Sequence, residues 1–167
     1  METNNNTITY NMKNLELNEK LTVIFDLILD ISWHFGNQCF DGNCCGDLTL
    51  IEYMALKKIH EEKDDNIHNI GRKLNITKSG ISKIIDKLEK KSYVIKKRSP
   101  IDGRVCCVKI TKKGSDAIYN IAKVYSEYLM DALCNSDHNE VKIEDIAKTL
   151  LIFYQALQKK GYIRQIE

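Results

Sequence analysis

Between Thr77 and Lys113 the chain reads TKSGISKIIDKLEKKSYVIKKRSPIDGRVCCVKITKK, with twelve Lys/Arg against three Asp/Glu. This net +9 sits in a chain of net +2, so the remaining residues carry −7. Cations gathered into one stretch of an otherwise acidic chain are the footprint of a polyanion-binding face. Ammonium and guanidinium groups pair with phosphate oxygens, and lysine and serine side chains also reach base edges in a groove. The candidates for that chemistry are Thr77, Lys78, Ser79, Ser82, Lys83 and Lys87, followed by Arg98, Asp102 and Arg104. An arginine on a hairpin can enter a narrow A·T-rich minor groove. Arg104 has a second reading, a brace on Asp102. A charge run by itself is more often a solvated face. What separates this one from that reading is its coincidence with a pattern of structural elements.

Thiols offer the other chemistry. Cys39, Cys44 and Cys45 form a C-x4-C-C cluster in the glycine-rich run GNQCFDGNCCGD. Three thiols can hold a soft metal or metalloid, or form a redox pair. The spacing is not the paired C-x2-C of a zinc ribbon, and Asp41 and Asp47 oppose thiolate formation. Three ordinary cysteines are the competing reading. Cys106 and Cys107 are neighbours in a strand-like run, so they point to opposite faces and make a poor chelate. His34, His60, His68 and His138 show no H-x3-H pair, and a lone histidine is more often a surface or core residue than a metal ligand. No phosphate-binding glycine loop, G-x-S-x-G or H-E-x-x-H is present, and no catalytic constellation can be assembled. An enzyme is not expected.

The elements that would position the cations follow from periodicity. Ile81, Ile84, Ile85 and Leu88 recur at i, i+3, i+4 and i+7, one face of a helix, with Thr77 suited to cap its N-terminus. Tyr93–Arg98 and Arg104–Ile110 read as two strands around the breakers Ser99-Pro100-Ile101-Asp102-Gly103. Upstream, Ile67, Ile70 and Leu74 mark a short helix that stops near Asn75. Helix, short turn, helix and hairpin make a winged helix-turn-helix.

Outside this core, Leu17, Leu21, Ile24, Ile28, Ile31 and Phe35 form a seam that asks for a helical partner. Leu48–Glu62 reads as a helix with Leu50/Ile51, Met54, Leu56 and Ile59 inward. Thr111–Leu133 follows, with Ile118, Ile121, Ala122, Tyr125, Leu129 and Leu133 on its buried side. A last helix carries Ile143, Ile146, Leu150, Phe153 and Leu157, and Gly161 ends it.

With 167 residues, 43% of them hydrophobic, 29% charged and a single proline, a soluble, mainly helical protein is expected. No apolar run approaches a membrane span, and the N-terminus lacks the pattern of a secretory signal. A cytoplasmic protein is expected, in whose reducing surroundings six cysteines need not form a disulfide framework.

The stretch NIGRKLNITKSGISKIIDKLEKKSYVIKKRSPIDGRVCCVKIT resembles the DNA-binding core of the MarR family of bacterial transcriptional regulators. The recognition-helix pattern, its Leu88-Glu89 ending, and Asp102 and Arg104 ahead of Ile110-Thr111 carry the likeness. The wing reads Asp-Gly-Arg where many relatives hold a basic residue in the middle, so one wing charge is missing. The resemblance implies a mainly α fold with a small β-hairpin wing, flanked by N- and C-terminal dimerisation helices. Residues 1–13, polar and Asn-rich, are expected to be flexible, and the resemblance implies a dimerisation helix with the cysteine loop over 14–47, the winged helix-turn-helix over 48–113 and dimerisation helices over 114–167.

It also implies a homodimer whose two recognition helices enter successive major grooves of a pseudo-palindromic double-stranded operator. The expected function is repression relieved by a small-molecule, metal or redox effector, with no cofactor required. In that family small aromatic ligands often bind between the dimerisation and DNA-binding parts. Trp33, Phe35, Phe40 and Tyr53 would suit such a pocket, although packing alone also accounts for them. The competing function is a winged-helix module that contacts proteins without binding DNA.

Overall fold

The computed structural model describes residues 12–38, 47–62, 66–98, 106–134 and 142–162. After a single 3-10 turn at Met12–Asn14 come α1 (Leu17–Gln38), α2 (Leu50–Glu62), α3 (Ile67–Lys73), α4 (Lys78–Lys90), β1 (Val94–Arg98), β2 (Cys106–Ile110), α5 (Lys112–Cys134) and α6 (Ile143–Lys159). Among the described residues no helix is long and apolar enough to cross a membrane.

The core is assembled between Leu48 and Ile121. Leu48, Ala55, Leu56 and Ile59 meet Ile67 and Ile70 of α3, Ile81, Ile85 and Leu88 of α4, and Tyr93, Val94 and Val108 of the hairpin. The helix-turn-helix is locked at its crossing. A methyl group on Gly71 would lie 2.8 Å from Ile81 Cγ2, so α3 and α4 approach here closer than any side chain allows. Asn66 Oδ1 accepts the His68 amide to start α3. The turn then uses Asn75 at φ 57°, a left-handed conformation that asparagine tolerates.

Thr77 caps α4 as its sequence suggests, with Oγ1 accepting the Gly80 amide at 3.1 Å. The strands are antiparallel, Val94 facing Ile110, Lys96 facing Val108 and Arg98 facing Cys106. An isolated bridge from Asn66 to Cys107 ties the start of α3 to the hairpin.

Two sequence expectations are corrected. On α2, Leu50, Ile51 and Met54 are exposed rather than inward, while Ala55, Leu56 and Ile59 are buried with Glu52. The helix also starts at Leu50, two residues late, because Thr49 and Glu52 form a capping box. Glu52 Oε2 accepts the Thr49 amide at 3.0 Å, and Thr49 Oγ1 lies 3.4 Å from the Glu52 amide. On α5, Ile121 is buried and Ile118 and Tyr125 pack on the core, but Ala122 and Leu129 face out. α2 and α5 carry apolar side chains on more than one face, and periodicity does not say which face meets the chain's own core.

The outer helices differ from the head, the unit from Leu48 to Ile121 that holds this core. α6 buries no residue against its own chain. Along α1, Val23 is buried, whereas Leu17, Leu21, Ile24, Ile28 and Ile31 of the seam stand exposed.

Candidate nucleic-acid interface

α4 separates its two jobs by face. Ile81, Ile85 and Leu88 are buried in the head, and Lys78, Ser79, Lys83, Lys87 and Lys90 are exposed around the rest of the helix. Two of the hydroxyls singled out in the sequence are already engaged. Thr77 Oγ1 holds the cap, and half-buried Ser82 donates its hydroxyl to the Lys78 carbonyl at 2.9 Å. Ser79 stays exposed at the N-terminal end of the helix, its hydroxyl 3.4 Å from Thr77 Oγ1. Gly80 admits the side chain of Ile76, since a methyl group there would meet Ile76 Cγ2 at 2.9 Å.

Arg98 is exposed at the far end of β1 beside exposed Lys97. Asp102 and Arg104 lie outside the described residues, as do Phe40, Cys39, Cys44 and Cys45.

A shallow hollow of about 490 Å³ adjoins the start of α4, lined by His68, Asn69, Arg72, Asn75, Thr77 and Lys78. Its three α3 residues extend the polar surface of the helix-turn-helix and were missed in the sequence, where α3 was read for its apolar positions. Polar His68 and Arg72, four residues apart and so on one side of α3, are the signal that could have found them.

The basic stretch is not uniformly available to a ligand. Lys91 donates to the Asp47 carbonyl and lies 2.8 Å from Glu52 Oε2. Lys113 donates to the Lys91 carbonyl at 2.7 Å and sits 4.4 Å over the Tyr93 ring. Tyr93 in turn donates its hydroxyl to Asp47. These groups join the start of α2, the end of α4, the start of β1 and the start of α5.

The Tyr93 hydrogen bond, against the opposing effect of burial and with help from the Lys91 charge, holds the Asp47 carboxyl below its usual range. Burial first, then the Asp47 carboxylate, pushes the Tyr93 hydroxyl up to about 12. A phenol whose folded pKa exceeds its unfolded value contributes stability that is complete below pH 10 and is lost as the pH rises through the folded pKa. The urea midpoint is therefore expected to fall between pH 10 and 12, and to fall less in Tyr93→Phe. A parallel absorbance titration should show one tyrosine ionising late. If all phenols titrate together, Tyr93 is not held this way.

The aromatic side chains proposed for an effector pocket are dispersed in their surroundings. Phe35 packs on Tyr125 and Tyr128, with ring centroids 5.8 and 6.3 Å away, and His34 Nε2 lies 2.7 Å from the Tyr128 hydroxyl. Trp33 is 73% exposed, and Tyr53 packs against the core. None of these three lines the larger hollow, about 640 Å³, between Met54 and Lys57 of α2, Leu74, and Tyr154 and Tyr162 at the end of α6. Among the described residues no three His, Cys, Asp or Glu side chains gather as metal ligands. Cys106 and Cys107 are both half-buried; Cys106 packs on the core.

Known proteins share this arrangement. A family model described as transcriptional regulator SarA/Rot matches residues 46–121. The HTH-type transcriptional regulator SarZ of Staphylococcus saprophyticus is 34% identical over 89 residues, 51% of this chain and 61% of its own length. The chain spans roughly half to two thirds of the length of the curated relatives it matches. The FabT of Streptococcus pneumoniae, solved in complex with DNA, superposes with a TM-score of 0.60 at 26% identity, covering 85% of this chain and 95% of that one. The MarR of Staphylococcus aureus, solved with salicylate and kanamycin, superposes with a TM-score of 0.69 at 12% identity over 87% of this chain and 93% of that one, which is a likeness of fold. The helix-turn-helix, its capped fourth helix and the hairpin wing give the chain the winged helix-turn-helix fold of these proteins, and over residues 46–121 it is similar to the SarA/Rot transcriptional regulators.

Proposed function

We propose that the protein acts as a homodimer that binds a pseudo-palindromic DNA operator and represses transcription until an effector releases it. The observation that carries this reading is the exposure of Lys83, Lys87 and Lys90 on the side of α4 away from buried Ile81, Ile85 and Leu88. A helix rooted in a rigid core by one face and cationic on the other is built to lie in a groove lined with phosphate. Lys78, Ser79, Lys83 and Lys87 are the contacts to bases and flanking phosphates, and Arg98 begins the wing. That FabT has been solved with DNA on the same fold supports the reading.

The outer helices α1 and α6 would supply the dimer interface, each meeting its equivalent in a second copy. An effector, whether a small aromatic molecule or an agent acting on the thiols of Cys39, Cys44 and Cys45, would work by preferring one spacing of the two heads over the other. Only such a differential affinity moves the equilibrium.

A duplex selected from a random pool supplies the test. Binding followed by fluorescence anisotropy across salt should give a steep log–log slope, since each neutralised phosphate releases a counterion. Lys83→Ala and Lys87→Ala should each weaken binding and lower that slope by about 1. Wild-type affinity in both variants, or binding indifferent to salt, would refute the reading and favour a protein-contacting module.

A further inference from the structure

One cation of the basic stretch points the wrong way for a phosphate contact. The register of the hairpin places Val94, Lys96 and Arg98 on the same face as Ile110, Val108 and Cys106. Val94 and Val108 are buried, so this face turns toward the head. Lys96 therefore leaves the strand on the inner side, and its ammonium reaches back to α4. There it pairs with Asp86 and lies 3.0 Å from Glu89 Oε2. The other Glu89 oxygen accepts the Lys96 backbone amide at 3.1 Å. One carboxylate thus grips both the main chain and the side chain of a single strand residue.

The chemistry agrees with the geometry. The Lys96 ammonium and amide hold the Glu89 carboxyl below its usual range, and Asp86 and Glu89 raise Lys96.

We propose that Glu89, Lys96 and Asp86 form a brace that fixes the wing against the recognition helix, so that Lys96 serves DNA binding as a positioning residue without touching phosphate. This inference rests on the DNA-binding reading above. It yields a result opposite in sign to simple charge counting. Glu89 is an anion on a surface offered to a polyanion, so on electrostatics alone its removal strengthens binding. If it is the anchor of the wing, its removal weakens binding, because the wing loses its fixed place and must be ordered at each encounter.

The test compares Glu89→Ala, Glu89→Gln, Lys96→Ala and the Glu89→Ala/Lys96→Ala double variant on the selected duplex, with Lys83→Ala as reference. Circular dichroism melts check that each variant is folded. Glu89→Ala and Lys96→Ala should each lower affinity about tenfold, and the double variant should be no worse than either, because the two act through one contact. Lys96→Arg, which keeps the ion pairs, should bind nearly as wild type. In the DNA-free protein, the amides of β1 and β2 should exchange with solvent faster in Glu89→Ala, while those of α3 stay protected.

Tighter DNA binding by Glu89→Ala or Glu89→Gln, or additive losses in the double variant, would overturn the brace, and the DNA reading would still stand on Lys83→Ala. Should Lys83→Ala and Lys87→Ala both bind as wild type, that reading falls. The exchange measurement then decides the brace alone: accelerated β1 and β2 amides support it, and unchanged ones overturn it.

Discussion

Leu21→Asp or Ile24→Asp in α1 is expected to give a monomer, or an insoluble chain, that no longer binds DNA, while the head keeps its fold. Both side chains are exposed in the single chain, at 54% and 40%, and belong to a seam that continues through Ile28 and Ile31. They lie outside the core cluster between Leu48 and Ile121, so a carboxylate at either position leaves that cluster intact. In a dimer the same carboxylate meets its equivalent in a desolvated interface. Burying an unpaired charge costs several kcal/mol, and symmetry imposes that cost twice. Light scattering at micromolar concentration should report a dimer for the wild type and a monomer for the soluble variant, with the melting transition of the head retained. A wild type that is already monomeric, or a variant that remains dimeric and binds DNA, would show that α1 is not the interface.

The second large effect is on stability. Glu52→Ala is expected to destabilise the head by about 2–4 kcal/mol, since it removes one partner of a largely buried ion pair and half of a capping box. The Glu52 side chain is 3% exposed, and the Lys91 side chain beside it is 27% exposed. After truncation Lys91 keeps the Asp47 carbonyl but loses the carboxylate it is hydrogen-bonded to.

The pH dependence has a definite sign. Burial resists ionisation of Glu52, but the Lys91 hydrogen bond, the Thr49 amide and the neighbouring charges outweigh it and hold the carboxyl below the ordinary 4.5. A carboxyl whose folded pKa is depressed contributes stability that is present above its unfolded pKa and is lost as the pH falls through the folded one. Thermal melts at pH 7 should show Glu52→Ala lower by about 5–10 °C. On acidification below pH 4.5 the gap should narrow, because the wild type loses the same interaction. A variant that melts with the wild type at pH 7 would mean that Glu52 is a bystander.

What could be read in the sequence was local. The three- and four-residue spacing of Ile81, Ile84, Ile85 and Leu88, and the cap at Thr77, depend on residues within one helix, and both are found in place. The hairpin followed from breakers between two β-prone runs. Non-local partners defeated the reading. Nothing local marks Glu52 as the buried partner of Lys91, thirty-nine positions on. Lys91, Lys96 and Lys113 counted toward the basic face, yet each is tied to groups on other elements. On α2 the apolar Leu50, Ile51 and Met54 were assigned inward because hydrophobicity records that a side chain avoids water, not which surface will cover it. A capping box at Thr49 and Glu52 was visible as T-x-x-E and would have placed the helix start correctly.

The sixth helix has no fully buried residue within its own chain. If a second copy supplies what covers it, a newly made chain is half a regulator, and the quantity that occupies an operator is set by mass action between chains. At low abundance the number of competent dimers grows with the square of the number of chains. Halving synthesis would then cut the competent pool nearly fourfold, so genes under its control would respond to dose more steeply than the supply of the protein changes.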